Sequence, residues 1–341
     1  MLGMTRFLVA PDSFKGTFDA AEVADAIERG IRSAGAEADC CPVADGGEGT
    51  MTVLLQALGG ERRSVRVHDP LRRPIEASFA ILGDGETTVV ETAQASGLPL
   101  LAPEERDPER ADTYGAGELI AAAIAAGAKR VLVAVGGSAT TDGGRGAIEA
   151  LRQSEAAIVL SPTYARERTK TDQPNVQIEV LCDVRTAFED AARIFAPQKG
   201  AGPTAVERLT AKLDALATEL PRDPHGVPMT GCAGGLSGGL WAYGAALRPG
   251  AEFILDALDF DARLARADAV ISGEGRFDSQ SLEGKIVGAI AERCAGGGKP
   301  LHLIVGQSAL PGDRPAAVGS VTEAGDLEGI QQVAADLVRE V

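Results

Sequence analysis

The sequence predicts an α/β protein in two domains, and three observations carry that expectation. Segments at 7–10, 131–135, 176–181, 269–271 and 301–305 read as strands; 131–135 has the density of one buried on both faces of a parallel sheet, and the first two lead through polar loops into helical spacing. Short alternating or β-branched runs at 62–67, 75–82 and 87–91, separated by Asp69-Pro70 and Gly83-Asp84-Gly85, form an antiparallel meander that opens a second domain within the first. Glycine is far above average usage at 42 of 341 residues and aromatic residues make up only 4%, which suits a fold rich in glycine turns. A chain of 341 residues also exceeds the usual size of one domain.

Charge and cysteine usage exclude several classes. The formal charge of −16 argues against nucleic acid or an anionic membrane as partner. Any bound phosphate must then be held by local cations, helix ends or a metal, against the overall field. Cys40, Cys41, Cys182, Cys232 and Cys294 include no Cys-x-x-Cys pair, so a zinc site or disulfide framework is not expected and a reducing cytoplasm fits. No apolar run is long enough to span a bilayer, and the N-terminus reaches Pro11 and Asp12 too early for a secretory segment. Only His68, His225 and His302 could act as histidine bases, none in a recognisable catalytic setting, so carboxylates and lysines must carry the chemistry.

In order along the chain, Pro11 stops the first strand and Asp12-Ser13-Phe14-Lys15-Gly16-Thr17 forms a polar loop. Val23, Ala24, Ile27 and Ile31 then space a helix over 20–33, capped by Asp19 or Thr17. Lys15 is a phosphate ligand or a solvated loop lysine. Asp45 and Glu48 stand among Gly46, Gly47 and Gly49, which leaves both carboxylates open to solvent or to Mg²⁺. The alternative is that Asp45 caps the helix running to about Leu58. The meander closes in a polar loop at 91–97; 103–112 is charged and exposed, and an alanine-rich helix starts at 113–118.

The strand at 131–135 runs into Gly136-Gly137-Ser138-Ala139-Thr140-Thr141-Asp142, a glycine and hydroxyl loop before a helix. Such a loop favours an anion, because free N–H groups and the helix dipole point at it; the alternative is a tight turn capped by Ser138 or Asp142. The polar stretch 153–174 lacks periodicity and reads as a mobile surface segment. Asp183 falls at the C-terminal edge of the 176–181 strand, where ligands bind in open parallel sheets, and Lys199 precedes Gly200 as a further cation. The glycines of 231–240 fit either a ligand loop or close helix packing, with 241–247 helical. The 269–271 strand gives way to a loop, 272–278, carrying Glu274 and Asp278; Gly284-Lys285 opens a helix, and 327–341 closes the chain as another. The domains are thus a Rossmann-like parallel-sheet domain of 1–62 and 255–341, interrupted by an inserted α/β domain of 63–254 with a partly antiparallel sheet.

No G-x-x-x-x-G-K-[ST] loop and no G-x-G-x-x-G after a strand occurs, so any nucleotide binds by another scheme. Five ordered motifs stand out: Ala10-Pro11-Asp12-Ser13-Phe14-Lys15-Gly16, Ala44-Asp45-Gly46-Gly47-Glu48-Gly49-Thr50, Gly136-Gly137-Ser138-Ala139-Thr140, Pro197-Gln198-Lys199-Gly200 and Gly273-Glu274-Gly275-Arg276. Together they resemble the type I glycerate kinase family over most of the chain. The resemblance implies transfer of the ATP γ-phosphoryl group to D-glycerate with Mg²⁺, in an interdomain cleft, giving 2-phosphoglycerate. It makes Lys15, Asp45, Asp183, Lys199 and Asp278 candidate catalytic residues, with Asp183 or Asp278 accepting the hydroxyl proton. Gly136, Gly137, Ser138, Thr140, Glu274 and Lys285 become candidates for the nucleotide, and Asp45 and Glu48 for Mg²⁺. A kinase of a related small hydroxy acid and a nucleotide- or phospho-acid-binding protein without turnover are the alternatives. The expected partner is a small molecule rather than nucleic acid or membrane, the expected location cytoplasmic, and a homodimer is one assembly open to the chain.

Overall fold

The computed structural model describes residues 4–156, 176–282, 285–309 and 318–340. Most of the aperiodic 153–174 stretch, and Gly284, lie outside the described residues. The strands are β1 (Arg6–Pro11), β2 (Glu37–Cys40), β3 (Gly60–His68), β4 (Pro74–Leu82), β5 (Thr87–Glu91), β6 (Arg130–Ala134), β7 (Gln177–Cys182), β8 (Ala246–Pro249), β9 (Ala269–Phe277), β10 (Leu301–Ser308) and β11 (Val318–Glu323). The chain packs as two compact units, Met1–Asp45 with Gly250–Val341, and Gly46–Pro249.

The first unit holds a parallel sheet in the order β11-β10-β9-β1-β2. Counted within the unit this is 2-1-3-4-5, a doubly wound order whose direction reverses between β1 and β9. Phe7, Val9, Ile271 and Ile304 pack under the helices Ala20–Ser33 and Leu327–Glu340. Strand alternation sends the fully buried Leu8, Val270 and Leu303 to the opposite face. The helix Ala20–Ser33 begins at Asp19 rather than Thr17: Asp19 Oδ1 accepts the Glu22 amide at 2.8 Å and Glu22 Oε2 accepts the Asp19 amide at 2.9 Å. β9 runs through Phe277, so Glu274 and Arg276 sit on a strand, not in the expected loop. Its glycines conceal it, and hydrogen-bonded register with β10 as far as Phe277 keeps it extended. β11 was not expected, since its half-exposed residues lack an apolar run.

The second unit holds the order β3-β4-β5-β6-β7-β8, antiparallel from β3 to β5 and parallel from β5 to β8. The meander is therefore one flank of a mixed sheet, as expected. The helix Thr50–Leu58 packs on β4 and β5, which brings the division of the chain to 45/46, earlier than the expected 62/63; the return falls at 249/250. The helices Tyr114–Ala125 and Arg145–Gln153 meet at Gly117, where a Cβ would lie 2.4 Å from the Ala147 carbonyl oxygen. The helix Pro203–Glu219 packs Leu209 and Leu213 against Phe188 and goes beyond the sequence expectation. Residues 246–247 are strand, not helix: Leu236–Ala242 ends earlier and β8 pairs with β7. The 231–240 glycines allow close packing; Cβ atoms on Gly234 and Gly239 would lie 2.0 Å from the Thr140 oxygen and 2.3 Å from the Gly143 oxygen. All five cysteines are free, and no helix among the described residues is long and apolar enough to cross a membrane.

Candidate active site

Each unit carries a pocket at the C-terminal edge of its parallel strands, where loops leave the sheet. In the first unit a cavity of about 430 Å³ opens at the reversal between β1 and β9, lined by Asp12, Lys15, Asp45, Glu274, Asp278 and Lys285. Pro11 ends β1 and delivers Asp12, whose amide donates to the Gly273 oxygen at 2.9 Å. A Cβ on Gly275 would lie 3.2 Å from Phe14 Cα, so β9 and the Lys15 loop stand close together.

The pocket concentrates buried negative charge. Asp12, Asp45 and Glu274 are exposed by only 6%, 3% and 9%. Burial, then the neighbouring Asp45, pushes the Asp12 carboxyl up to about 7, with Lys15 and the Ser13 amide opposing and Glu274 adding to the rise. Burial likewise raises Glu274 to about 7, against Ser281 and Lys285. Lys15 Nζ lies 3.7 Å from Asp45 Oδ2, and Arg276 Nε lies 3.5 Å from Asp278 Oδ2. Glu274 Oε1 is buried without a hydrogen-bond partner. Asp45 is not a helix cap: the helix Thr50–Leu58 starts from Gly49 with no side-chain cap.

Among the described residues no group of three or more His, Cys, Asp or Glu is placed to hold a metal ion as a protein-only cage. The acidic wall and the unpartnered Glu274 oxygen fit instead a hard divalent cation that takes one or two carboxylates and completes its shell with phosphate oxygens and water. Glu48, paired with Asp45 by sequence, belongs to the second unit and lines the pocket there.

That second pocket, about 310 Å³, gathers Glu48, Gly136, Gly137, Ser138, Asp183 and Lys199 beneath an apolar wall that includes Leu98, Pro99 and Phe195. Lys199 is exposed by 3% and donates from Nζ to Ser138 Oγ at 3.0 Å and to the Thr140 oxygen at 2.6 Å. Burial pulls it down to about 8, while Asp142 and Asp183 favour its charged form. Gly136 is required by close approach, since a Cβ there would lie 2.7 Å from Gly47 Cα. Thr140 contributes through its backbone oxygen and does not line the cavity.

The anion expected at the helix after this loop meets a different arrangement. Asp142 Oδ1 accepts the Gly144 amide at 3.1 Å, and Oδ2 accepts the Gly146 amide at 3.0 Å, the Thr113 amide at 3.0 Å and the Thr113 hydroxyl at 2.8 Å. Thr113 Oγ1 in turn accepts the Ala147 amide at 3.0 Å. A buried side-chain carboxylate thus fills the helix N-terminus that an external anion would need.

Two buried acids receive no role from the sequence: Asp12, although it stands inside the first of the five motifs, and Glu91. Asp12 lies directly after a strand closed by proline, the same edge position that singles out Asp183. Glu91 ends β5, is exposed by 4% and accepts the Met51 amide at 2.8 Å; burial raises its pKa, with Glu48 adding to the rise.

Lysines and buried carboxylates at the strand edges of two parallel or mixed sheets define an α/β enzyme that handles small charged substrates. Residues 7–324 match the glycerate kinase family. The chain is 40% identical over 332 residues to the glycerate kinase of Bacillus subtilis, covering 88% of this chain and 85% of that one. Against the glycerate 2-kinase of Escherichia coli it is 37% identical over 328 residues, with 88% and 85% covered. A solved structure from Salmonella typhimurium LT2, provisionally named glycerate kinase 2, superposes with a TM-score of 0.79 at 34% identity, covering 99% of this chain and 98% of that one. The chain belongs to the glycerate kinase family and is a kinase.

Proposed function

We propose that the chain transfers the γ-phosphoryl group of ATP to D-glycerate, with Mg²⁺, giving 2-phosphoglycerate. Phosphoryl transfer asks a protein for positioning and charge neutralisation more than for covalent chemistry. The observation that carries this reading is the meeting of the buried Asp12, Asp45 and Glu274 with Lys15 and Lys285 at the strand-order reversal of the first unit. Lys15 and Lys285 would contact the nucleotide phosphates, and Asp12 and Asp45 would hold Mg²⁺, which supplies further neutralisation when bound. The C2 hydroxyl oxygen of glycerate forms its bond to the γ-phosphorus as the bond from that phosphorus to the β,γ-bridging oxygen breaks and ADP leaves. Asp183 takes the hydroxyl proton; Asp278, in the first-unit pocket 3.5 Å from Arg276 Nε, is the alternative base.

A coupled assay of ADP release with D-glycerate and a panel of other small hydroxy acids tests the reading. Turnover is expected with glycerate and to fall by about 10² or more in the Lys15→Ala, Asp45→Ala and Asp183→Ala variants. Full turnover in all three sinks the assignment of roles, and preference for another acid corrects the substrate. A cytoplasmic location and a homodimer belong to the same reading, the latter open to sedimentation velocity.

A further inference from the structure

We propose that the second-unit pocket is the seat of the acceptor hydroxy acid, with Lys199 receiving its carboxylate and Asp183 facing its hydroxyl. The inference rests on the kinase reading above and assigns the Gly136–Ser138 loop to the acceptor rather than to the nucleotide. An ammonium has three donors and no acceptor. Two of those on Lys199 are taken by Ser138 Oγ and the Thr140 oxygen, which leaves one for the cavity the residue lines. No carboxylate among the described residues stands at ion-pairing distance from Nζ, and Asp142 already accepts four hydrogen bonds at its helix cap. A buried cation whose hydrogen-bond ligands are neutral carries a desolvation cost that Asp142 and Asp183 offset in part and a bound anion offsets further.

The charge count selects the kind of anion. Among the described residues Lys199 is the only cationic one lining this pocket, against Glu48 and Asp183, so a triphosphate would meet one positive group and two negative ones. A single carboxylate matches one ammonium. The first-unit pocket, by contrast, presents Lys15, Arg276 and Lys285 together with the acids that suit a cation. The usual phosphate device, a free helix N-terminus, is filled by Asp142 at the helix that follows the Gly136–Ser138 loop. Ser138 Oγ accepts from Lys199, which leaves its own proton to donate to a polyhydroxy ligand, and Leu98 and Phe195 limit the size of what fits.

The test is calorimetric titration of the whole chain and its Lys199→Met and Lys199→Arg variants with D-glycerate, and separately with a non-hydrolysable ATP analogue plus Mg²⁺. Lys199→Met is expected to weaken glycerate by about 10- to 100-fold, the loss of one charge-assisted hydrogen bond, with analogue affinity within about threefold; Lys199→Arg regains part of the loss. Trp241, the single tryptophan and part of the second unit, reports by its emission whether that unit is folded. If Lys199→Met loses that emission, the arginine variant carries the comparison. Glycerate binding unchanged in both variants, or equal losses for glycerate and analogue, overturns the inference. Wild-type turnover with an insensitive Lys199→Met overturns this inference alone. Lys199-dependent binding without ADP release overturns the kinase reading alone, and absence of glycerate binding by the wild type overturns both.

Discussion

Replacing Asp12 by asparagine should make the first unit more stable at alkaline pH while impairing phosphoryl transfer. Asp12 is raised from 3.8 to about 7, first by burial and then by Asp45. An acid so perturbed destabilises the folded chain, once ionised, by at most on the order of 4 kcal/mol. Asparagine keeps the side-chain oxygen that accepts the Ser13 amide at 2.7 Å, so the charge goes and the hydrogen bond stays. That bound already includes the opposing attraction of Lys15, and relaxation of the pocket around the charge brings the expected gain to about 1–3 kcal/mol, or several degrees in Tm. The sign follows from the direction of the shift: the favourable contribution of Asp12 is complete below pH 3.8 and is lost as pH rises through about 7. Differential scanning calorimetry should therefore find the variant melting above the wild type at pH 8, with less than half that gap at pH 5. No gap at pH 8, or one of equal width at both pH values, would refute the reasoning about the acidic pocket.

Three further perturbations follow from the second unit. Gly117→Ala drives a Cβ to 2.4 Å from the Ala147 oxygen and 2.6 Å from its Cα, backbone that cannot rotate away, and should cost about 1–3 kcal/mol in urea unfolding; an unmoved midpoint would contradict the packing described. Asp142→Ala leaves three amides and a hydroxyl without their acceptor and should cost about 3 kcal/mol or more, with Asp142→Asn near half of that because one oxygen remains. Lys199, faced by Asp142 and Asp183 and lowered to about 8 by burial, should impose an alkaline fall in kcat/KM for glycerate that Lys199→Arg removes; a wild-type profile flat to about pH 10 would exclude it.

The fold was legible where burial writes a period into the sequence. The helix Ala20–Ser33, with Asp19 as one of two caps on offer, and the meander β3 to β5 could be read from residue spacing alone. Legibility failed where tertiary pairing overrides local preference. Glu274 and Arg276 lie among glycines that suggest a loop, yet the ladder to β10 holds them extended. β8 and β11 are sheet-edge strands with little apolar alternation, and the helix Pro203–Glu219 shows only a sparse buried stripe at Leu209, Leu213 and Ala217. In the site, motif spacing singled out Lys15, Asp45, Lys199 and Glu274, all of which line pockets. It offered Asp142 as a cap for the helix end, which the Gly144 and Gly146 amides bear out, but could not decide between that cap and an external anion or show Thr113, 29 residues away, joining the same carboxylate. Nor could it show that Asp45 and Glu48, three residues apart, belong to different units.

The central claim, that this chain phosphorylates the C2 hydroxyl of glycerate from ATP, is met most directly by following ATP, D-glycerate and Mg²⁺ with the protein by ³¹P NMR. The γ-phosphate resonance is expected to decay as ADP and a phosphomonoester coupled to the C2 proton grow at equal rates. ATP left intact, free phosphate in place of the ester, or an ester coupled to the C3 protons would contradict it.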